Sequence, residues 1–302
     1  ELRLLLERRE VMTCIAPPMA EVIALSKQSG MKCASTFSGA GGSCMGIKMA
    51  GFAVPYANEF IDAARAVRAL NFKDEFCDGR DIREVTAASI LDSIGLDVGQ
   101  LDLFNGSPPC SAFSACGKRD EGWGVEKKYS DKTQRVDDLF FEFSRLLKEL
   151  QPRAFVAENV AGLTRGRALG YYNLIAKSLV DAGYDVGVAL LDAQWLGVPQ
   201  TRSRTIFIGY RRDLGITPTF PKPLPRRYSI VDACPWLKGA VLQVGNPNHV
   251  QKEGNSFPRG VMVRATEPCP AILATNRNLG GGPHKLLMTD GTERVFTIPE
   301  LM

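Results

Sequence analysis

The chain has 302 residues, 45% of them hydrophobic, enough to bury a sizeable core and best accommodated by one large domain with a small insert. A formal net charge of +4 permits a polyanionic partner without requiring one. No window supplies the roughly 18 consecutive apolar residues of a membrane span, and the opening "ELRLLLERRE" is too charged for a secretory signal, so a soluble cytoplasmic protein is expected.

From residue 31 short apolar runs alternate with helical patterns, the pattern of a largely parallel sheet with helices on its faces. "MKCASTF" reads as a strand ending in the glycine turn "SGAGG", and "SCMGIKMAGF" as the helix that follows. "AVPYANE" is a second strand, and "IDAARAVRALNF" a helix with Ala63, Val67 and Leu70 on its apolar face. "LDLFNGS" is a strand running into "PPC". In "RVDDLFFEFSRLLKEL", Leu139, Phe140, Phe143, Leu146, Leu147 and Leu150 recur at helical spacing, and Pro152 stops the helix. "AFVAEN" and "RTIFIGY" are later strands. After Arg212 the proline-rich "GITPTFPKPLPRRYS" opens a stretch to about Gly260 without clear periodicity, read as a small irregular insertion.

Eight scattered cysteines with no CxxC pair, beside two histidines, predict reduced thiols and no metal site. Gly39, Gly41 and Gly42 follow a strand and open a helix, where glycine lets a ligand approach the backbone and the helix N-terminus offers unpaired N–H groups. Glu59 ends the next strand, suitably placed for ribose hydroxyls, and Asp81 follows the third, placed for an adenine amine. Cys44 stands where a dinucleotide motif wants its third glycine, so a nucleoside cofactor without a pyrophosphate fits better than a nicotinamide one. The glycines alone are also compatible with a plain strand-to-helix turn.

Pro108 and Pro109 bar Cys110 from continuing a central strand and place its thiol at the carboxyl edge of the sheet, where open α/β sheets bind ligands. Glu158 and Asn159 end another strand at that edge. In an extended "QTRSR", Gln200, Arg202 and Arg204 would project to one face. Taken singly, Cys110 could be a packed thiol, Glu158 a structural ion pair and the arginines a solvated strand face.

In combination and in this order, these segments resemble the cytosine-C5 DNA methyltransferase family, from about Lys32 to Tyr210 and again from Arg264 to the end. "FSGAGG" is similar to that family's first cofactor motif, "GSPPCSAFS" to its nucleophile motif, "ENV" to its acid motif and "QTRSR" to its arginine motif. "RATEPCPAI" and "RVFTIPEL" look like its later motifs. The resemblance implies a Rossmann-like, S-adenosylmethionine-dependent sheet with helices on both faces, plus a small target-recognition insertion. Residues 1–211 and 264–302 would form the catalytic part and 212–263 the target-recognition region.

The resemblance also implies roles. Cys110 would attack C6 of a cytosine flipped out of duplex DNA, making C5 nucleophilic. Glu158 would hold a proton at N3, Arg204 with Arg202 beside it would hold O2 and nearby phosphates, and Asn159 would order the PPC loop. Phe37, Ser38, Gly39, Gly41, Gly42, Glu59, Phe60, Asp81, Ile82, Asn105 and Pro108 would bind the cofactor. The loop after Cys110, with Ser111, Ser114, Lys118, Arg119, Trp123, Lys127 and Lys128, reads as a lid over the flipped base, or else as a plain surface loop. Gln200 and, in the insertion, Lys252, Asn255 and Arg259 would meet DNA. A monomeric enzyme of the bacterial restriction-modification kind is expected.

One departure stands out. The family normally continues past "RVFTIPEL" into a closing helix that begins with Gly-Asn and a proline pair, whereas here "VMTCIAPPMAEVIALS", residues 11–26, precedes the first motif and resembles that segment. A circular permutation is the reading, with Thr13 standing where asparagine would contact the cofactor. The alternatives to the leading reading are an RNA (tRNA) cytosine-C5 methyltransferase, a catalytically silent DNA-binding relative and, more distantly, a nicotinamide oxidoreductase.

Overall fold

The computed structural model describes residues 18–73, 75–109, 126–129, 132–135, 138–164, 166–244, 261–272, 285–294 and 296. In chain order the first elements are α1 (Met19–Leu25), β1 (Lys32–Thr36), α2 (Gly42–Met49), β2 (Ala53–Asn58), α3 (Asp62–Asn71), β3 (Cys77–Asp78), α4 (Ala87–Ile94) and β4 (Leu103–Gly106). The antiparallel pair β5 (Glu126–Tyr129) and β6 (Lys132–Arg135) follows, within the stretch expected to be a loop. Next come α5 (Leu139–Leu150), β7 (Ala154–Val160), α6 (Leu169–Asp181), β8 (Tyr184–Asp192), β9 (Gln200–Thr201) and β10 (Ser203–Arg211).

Seven strands form one sheet in the order β3-β2-β1-β4-β7-β10-β8. β3, β2, β1, β4 and β7 run parallel, while β10 lies antiparallel to β7. Alternation along the strands divides their side chains between two faces. Ala34, Tyr56, Phe104 and Phe155 join α4, α5 and α6 in the larger core, and Cys33, Val54 and Leu103 join Cys44 of α2 and Met19 of α1 in a smaller one. The sheet is the expected α/β arrangement with helices on both faces.

α5 follows its sequence pattern: Leu139, Phe140, Phe143, Leu146, Leu147 and Leu150 are all buried. Burying each such side chain contributes about 1.5–3 kcal/mol. Gln151 then takes a left-handed conformation and Pro152 prevents another turn. α4 starts where the Thr86 hydroxyl accepts the Ser89 N–H and stops at Gly95, whose φ is 62°.

α3 departs from its pattern. Ala63, Val67 and Leu70 all face outward, with Val67 48% and Leu70 73% exposed, while Arg68 is buried on the opposite side. An ion pair and an aromatic contact, described below, hold that arginine in place of an apolar stripe.

A second compact unit combines Asp192–Ser203 with residues from Pro221 onward, apart from the unit of Pro17–Leu191 and Arg204–Phe220. It contains α7 (Ile230–Ala233), β11 (Val241–Val244), β12 (Val261–Arg264), β13 (Cys269–Pro270), β14 (Lys285–Leu287) and β15 (Glu293–Arg294). A four-stranded sheet, β12-β11-β14-β15, packs on α7 through Ile230, Leu237, Leu242, Ala265 and Leu286. β14, from the segment expected to rejoin the catalytic part after residue 264, pairs here with β11. The proline-rich tract after Arg212 carries neither helix nor strand from Gly215 to Tyr228.

Candidate active site

Parallel register brings Thr36, Asn58 and Gly106 to one carboxyl edge of the sheet, and the chain segments just beyond them enclose a cavity of about 180 Å³. Its walls are Phe37, Asn58, Glu59, Phe60, Ile61, Ile82, Ser107 and Pro109. Glu59 is fixed by both oxygens: Oε2 accepts the Gly39 N–H and Oε1 the Ile61 N–H, each at 2.8 Å. Each carboxylate oxygen retains acceptor capacity for a diol. Arg65 Nη1 donates to the carbonyls of Glu59 and Phe60, at 2.8 and 3.0 Å, and so holds this corner.

The glycine turn is built for close approach. Gly39 and Gly41 have φ of 54° and 95°, and a Cβ on Gly41 would stand 2.5 Å from Phe72 Cε2. Phe37 adopts φ 52°, a left-handed conformation rare for a bulky residue and one that concentrates at ligand sites. The Ser38 hydroxyl donates to the Asn58 carbonyl at 3.1 Å, so the buried serine ties the turn to β2 without walling the cavity.

Asn58, Ile61, Ser107 and Pro109 are wall residues that sequence reasoning did not identify; each lies within two positions of one that it did. Asn105 and Pro108 are not wall residues, and the Asn105 amide instead donates to Ser35 Oγ at 3.1 Å and to Ser43 Oγ at 3.5 Å. Asp81, expected at the adenine, is gripped by Arg83 Nη1 at 3.1 and 3.2 Å, and Arg83 also reaches Asp138 at 2.6 Å. Its neighbour Ile82 lines the cavity instead. Beneath this wall Asp78 accepts the Tyr56 hydroxyl at 2.9 Å and Arg80 Nη2 at 2.6 Å. Burial works against the Asp78 charge, but the Arg80 and Tyr56 donors outweigh it and hold the carboxyl below the usual carboxylate range.

Glu158 and Asn159 sit near the end of β7 as expected. Arg204 faces Val160 in the β10 register and Glu158 faces Ile206, a diagonal placement that joins Arg204 Nε to Glu158 Oε1 at 2.7 Å. Asn159 is buried, and its Nδ2 donates to the Pro108 carbonyl at 3.2 Å. The single extended segment expected for Gln200, Arg202 and Arg204 is interrupted. β9 pairs with β13 in the second unit, β10 pairs with β7, and Arg202 between them donates its N–H to Asp192 Oδ1 at 3.3 Å. Thr13, Cys110, Ser111, Ser114, Lys118, Arg119, Trp123, Lys252, Asn255 and Arg259 lie outside the described residues.

Residues 31–253 match the family model of the C-5 cytosine-specific DNA methylases. The chain belongs to that family. Among curated methylase relatives, Type II methyltransferase M.NgoPII of Neisseria gonorrhoeae is 34% identical over 196 residues, 64% of this chain and 51% of that protein. Type II methyltransferase M.HindV of Haemophilus influenzae is 33% identical over 255 residues, 83% of this chain and 75% of that protein. Against several of its curated relatives the chain spans only about half their length, 51–56% for three of them.

Among solved structures, a prophage-encoded protein (E. coli) assigned as a DNA modification methyltransferase aligns with a TM-score of 0.55 at 27% identity, covering 73% of this chain and 56% of that one. A DNMT2 variant from Spodoptera frugiperda shares the fold, with a TM-score of 0.51 at 23% identity over 66% of this chain and 58% of its own. No helix among the described residues of this family member is long and apolar enough to cross a membrane.

Proposed function

We propose that this chain transfers a methyl group to C5 of cytosine in duplex DNA, with S-adenosylmethionine as donor and Cys110 as covalent nucleophile. The observation that carries the reading is the course of one loop. Ser107 and Pro109, the residues that lead up to position 110 in the sequence, wall the cavity, and the Pro108 carbonyl between them is held by Asn159, next to Glu158 on β7.

The residues fit the donor. Phe37, Phe60 and Ile82 offer apolar faces to a purine, and Glu59, held by the Gly39 N–H of the glycine turn, offers acceptors to the ribose diol. S-adenosylmethionine supplies an electrophilic methyl on a sulfonium. The Cys110 thiolate adds to C6, and the electrons of the C5=C6 bond move to C5 as an enamine while Glu158 holds the proton at N3. C5 would take the methyl as the S–CH3 bond breaks and its electron pair stays on sulfur, leaving neutral S-adenosylhomocysteine; a base then removes the C5 proton, the C5=C6 bond re-forms and Cys110 departs as thiolate. Arg204 orients Glu158 and meets the base at O2; Asn159, through the Pro108 carbonyl, keeps the PPC turn in place. A base within a duplex is out of reach of this edge, so the target cytosine is flipped out.

The second unit, with Gln200 and the stretch containing Lys252, Asn255 and Arg259, would read DNA. A role in a restriction-modification system, and Thr13 as a cofactor contact in a permuted closing segment, belong to the same proposal. α1 (Met19–Leu25) packs against α2, the helix that the glycine turn opens, which supports a place for those residues beside the cofactor turn. Label transfer from methyl-labelled S-adenosylmethionine to mixed-sequence duplex DNA, in competition with tRNA, tests the reading. Labelled 5-methylcytosine in DNA is expected; label confined to tRNA, or none in either, would refute it.

A further inference from the structure

Beneath the glycine turn lies a buried cation that the proposed chemistry does not use and whose hydrogen-bonding capacity is only partly met. Arg68 of α3 is 1% exposed, and its Nε and Nη1 are the two buried side-chain polar atoms without a hydrogen-bond partner among the described residues. Its Nη2 reaches Glu75 Oε2 at 3.1 Å, and its guanidinium lies over the Phe72 ring at 4.6 Å. Lys48 of α2, also buried, takes the other oxygen of Glu75. Two buried cations thus share one partly exposed carboxylate, so the cluster carries a net positive charge that water screens only from the Glu75 side. An unpartnered Nη1 lies 3.0 Å from where a Cβ on Gly41 would stand, just before the N-terminus of the eight-residue α2, whose dipole adds positive potential.

We propose that Arg68 is a positioning residue, a charge set under the turn so that the cavity selects nucleosides bearing an amino-acid carboxylate over the same nucleosides without one. The inference rests on the reading of the cavity as an S-adenosylmethionine site. Polarity along the turn gives it direction. The Glu59 carboxylate takes the Gly39 N–H and repels a second carboxylate, so the anionic end of a bound ligand is driven along the turn toward Gly41 and the first turn of α2. That first turn has N–H groups without intrahelical partners. Arg68, being buried, acts through the field and through the shape of Gly41 without touching the ligand.

The test is calorimetric binding of two ligands to the full chain: S-adenosylhomocysteine, which carries the carboxylate, and 5′-methylthioadenosine, which does not. Arg68→Met should weaken S-adenosylhomocysteine by about tenfold and leave 5′-methylthioadenosine within about twofold. Arg68→Lys should keep part of the preference. Glu75→Gln removes the one shared negative charge and should raise the preference for S-adenosylhomocysteine, a change of opposite sign that remains decisive if Arg68→Met does not fold. An unchanged ratio of the two affinities in Glu75→Gln, or equal weakening of both ligands in Arg68→Met, would overturn the inference. Wild-type protein that binds neither compound would overturn the cofactor reading itself, and this inference with it.

Discussion

Arg204 Nε stands 2.7 Å from Glu158 Oε1, so the acid and the arginine proposed to meet one base are already joined across adjacent strands. Both side chains are about a quarter to a third exposed, at 26% and 31%, which makes the pair a modest contributor to folding, about 1 kcal/mol or less. Its value is geometric: it keeps two charged groups at the strand edge oriented until a base intervenes. Glu158→Gln should therefore cut methyl transfer roughly 10²- to 10⁴-fold, since it removes the proton donor to N3. Its melting temperature should move by no more than about 4 °C. Activity assays beside thermal melts check this; a large loss of stability would mean that the pair is structural.

The glycine turn should tolerate no side chain at Gly41. Gly41→Ala meets Phe72 at 2.5 Å and adds the cost of a positive φ, so S-adenosylhomocysteine binding should be lost together with stability. Gly46→Ala on the same helix meets nothing within 4 Å and should stabilise by about 0.4–1 kcal/mol with binding unchanged. Equal behaviour of the two variants would show that the close packing of Gly41 on Phe72 does not support the site.

Asn159 ties β7 to the PPC turn through the Pro108 carbonyl. Asn159→Ala leaves that buried carbonyl without its donor, a loss of about 1–3 kcal/mol. Catalysis should fall through kcat while the affinity for S-adenosylhomocysteine, whose cavity walls are other residues, stays within about threefold. A rise in cofactor Kd without a change in kcat would assign Asn159 to the cofactor instead.

Asp78 gives the fold an acid-sensitive support under the cavity wall. Its folded carboxyl titrates below the ordinary value, so the stabilisation is complete above about pH 4 and is lost as pH falls through the lower folded value. Asp78→Asn should lower the melting temperature at pH 7, and the gap from wild type should narrow at pH 3. A gap equal at both pH values would show that charge is not what Asp78 contributes.

Much of this was legible in the sequence. α5 announced its six buried apolar positions because apolar spacing on a helix leaves one way to bury it. Glu59 and the glycine turn were legible because strand-to-helix turns are short and local. α3 was not: its buried face is chosen by an ion pair between Arg68 and Glu75 and by Phe72, partners beyond the helix that periodicity cannot see. The Arg83 partner of Asp81 was not legible either, since that ion pair belongs to a network that extends to Asp138 of a distant segment. The break at Arg202 arises because β9 and β10 find partners in different sheets, a tertiary choice invisible to alternation along one segment.

The most direct measurement is a covalent trap: the protein, S-adenosylmethionine and mixed-sequence duplex DNA containing 5-fluorocytosine, resolved on a denaturing gel beside Cys110→Ala. Fluorine at C5 blocks the final elimination, so wild-type protein should remain bonded to DNA and the alanine variant should not. Wild-type protein that binds S-adenosylhomocysteine and methylates DNA yet leaves no adduct, or an adduct that survives Cys110→Ala, would contradict the account.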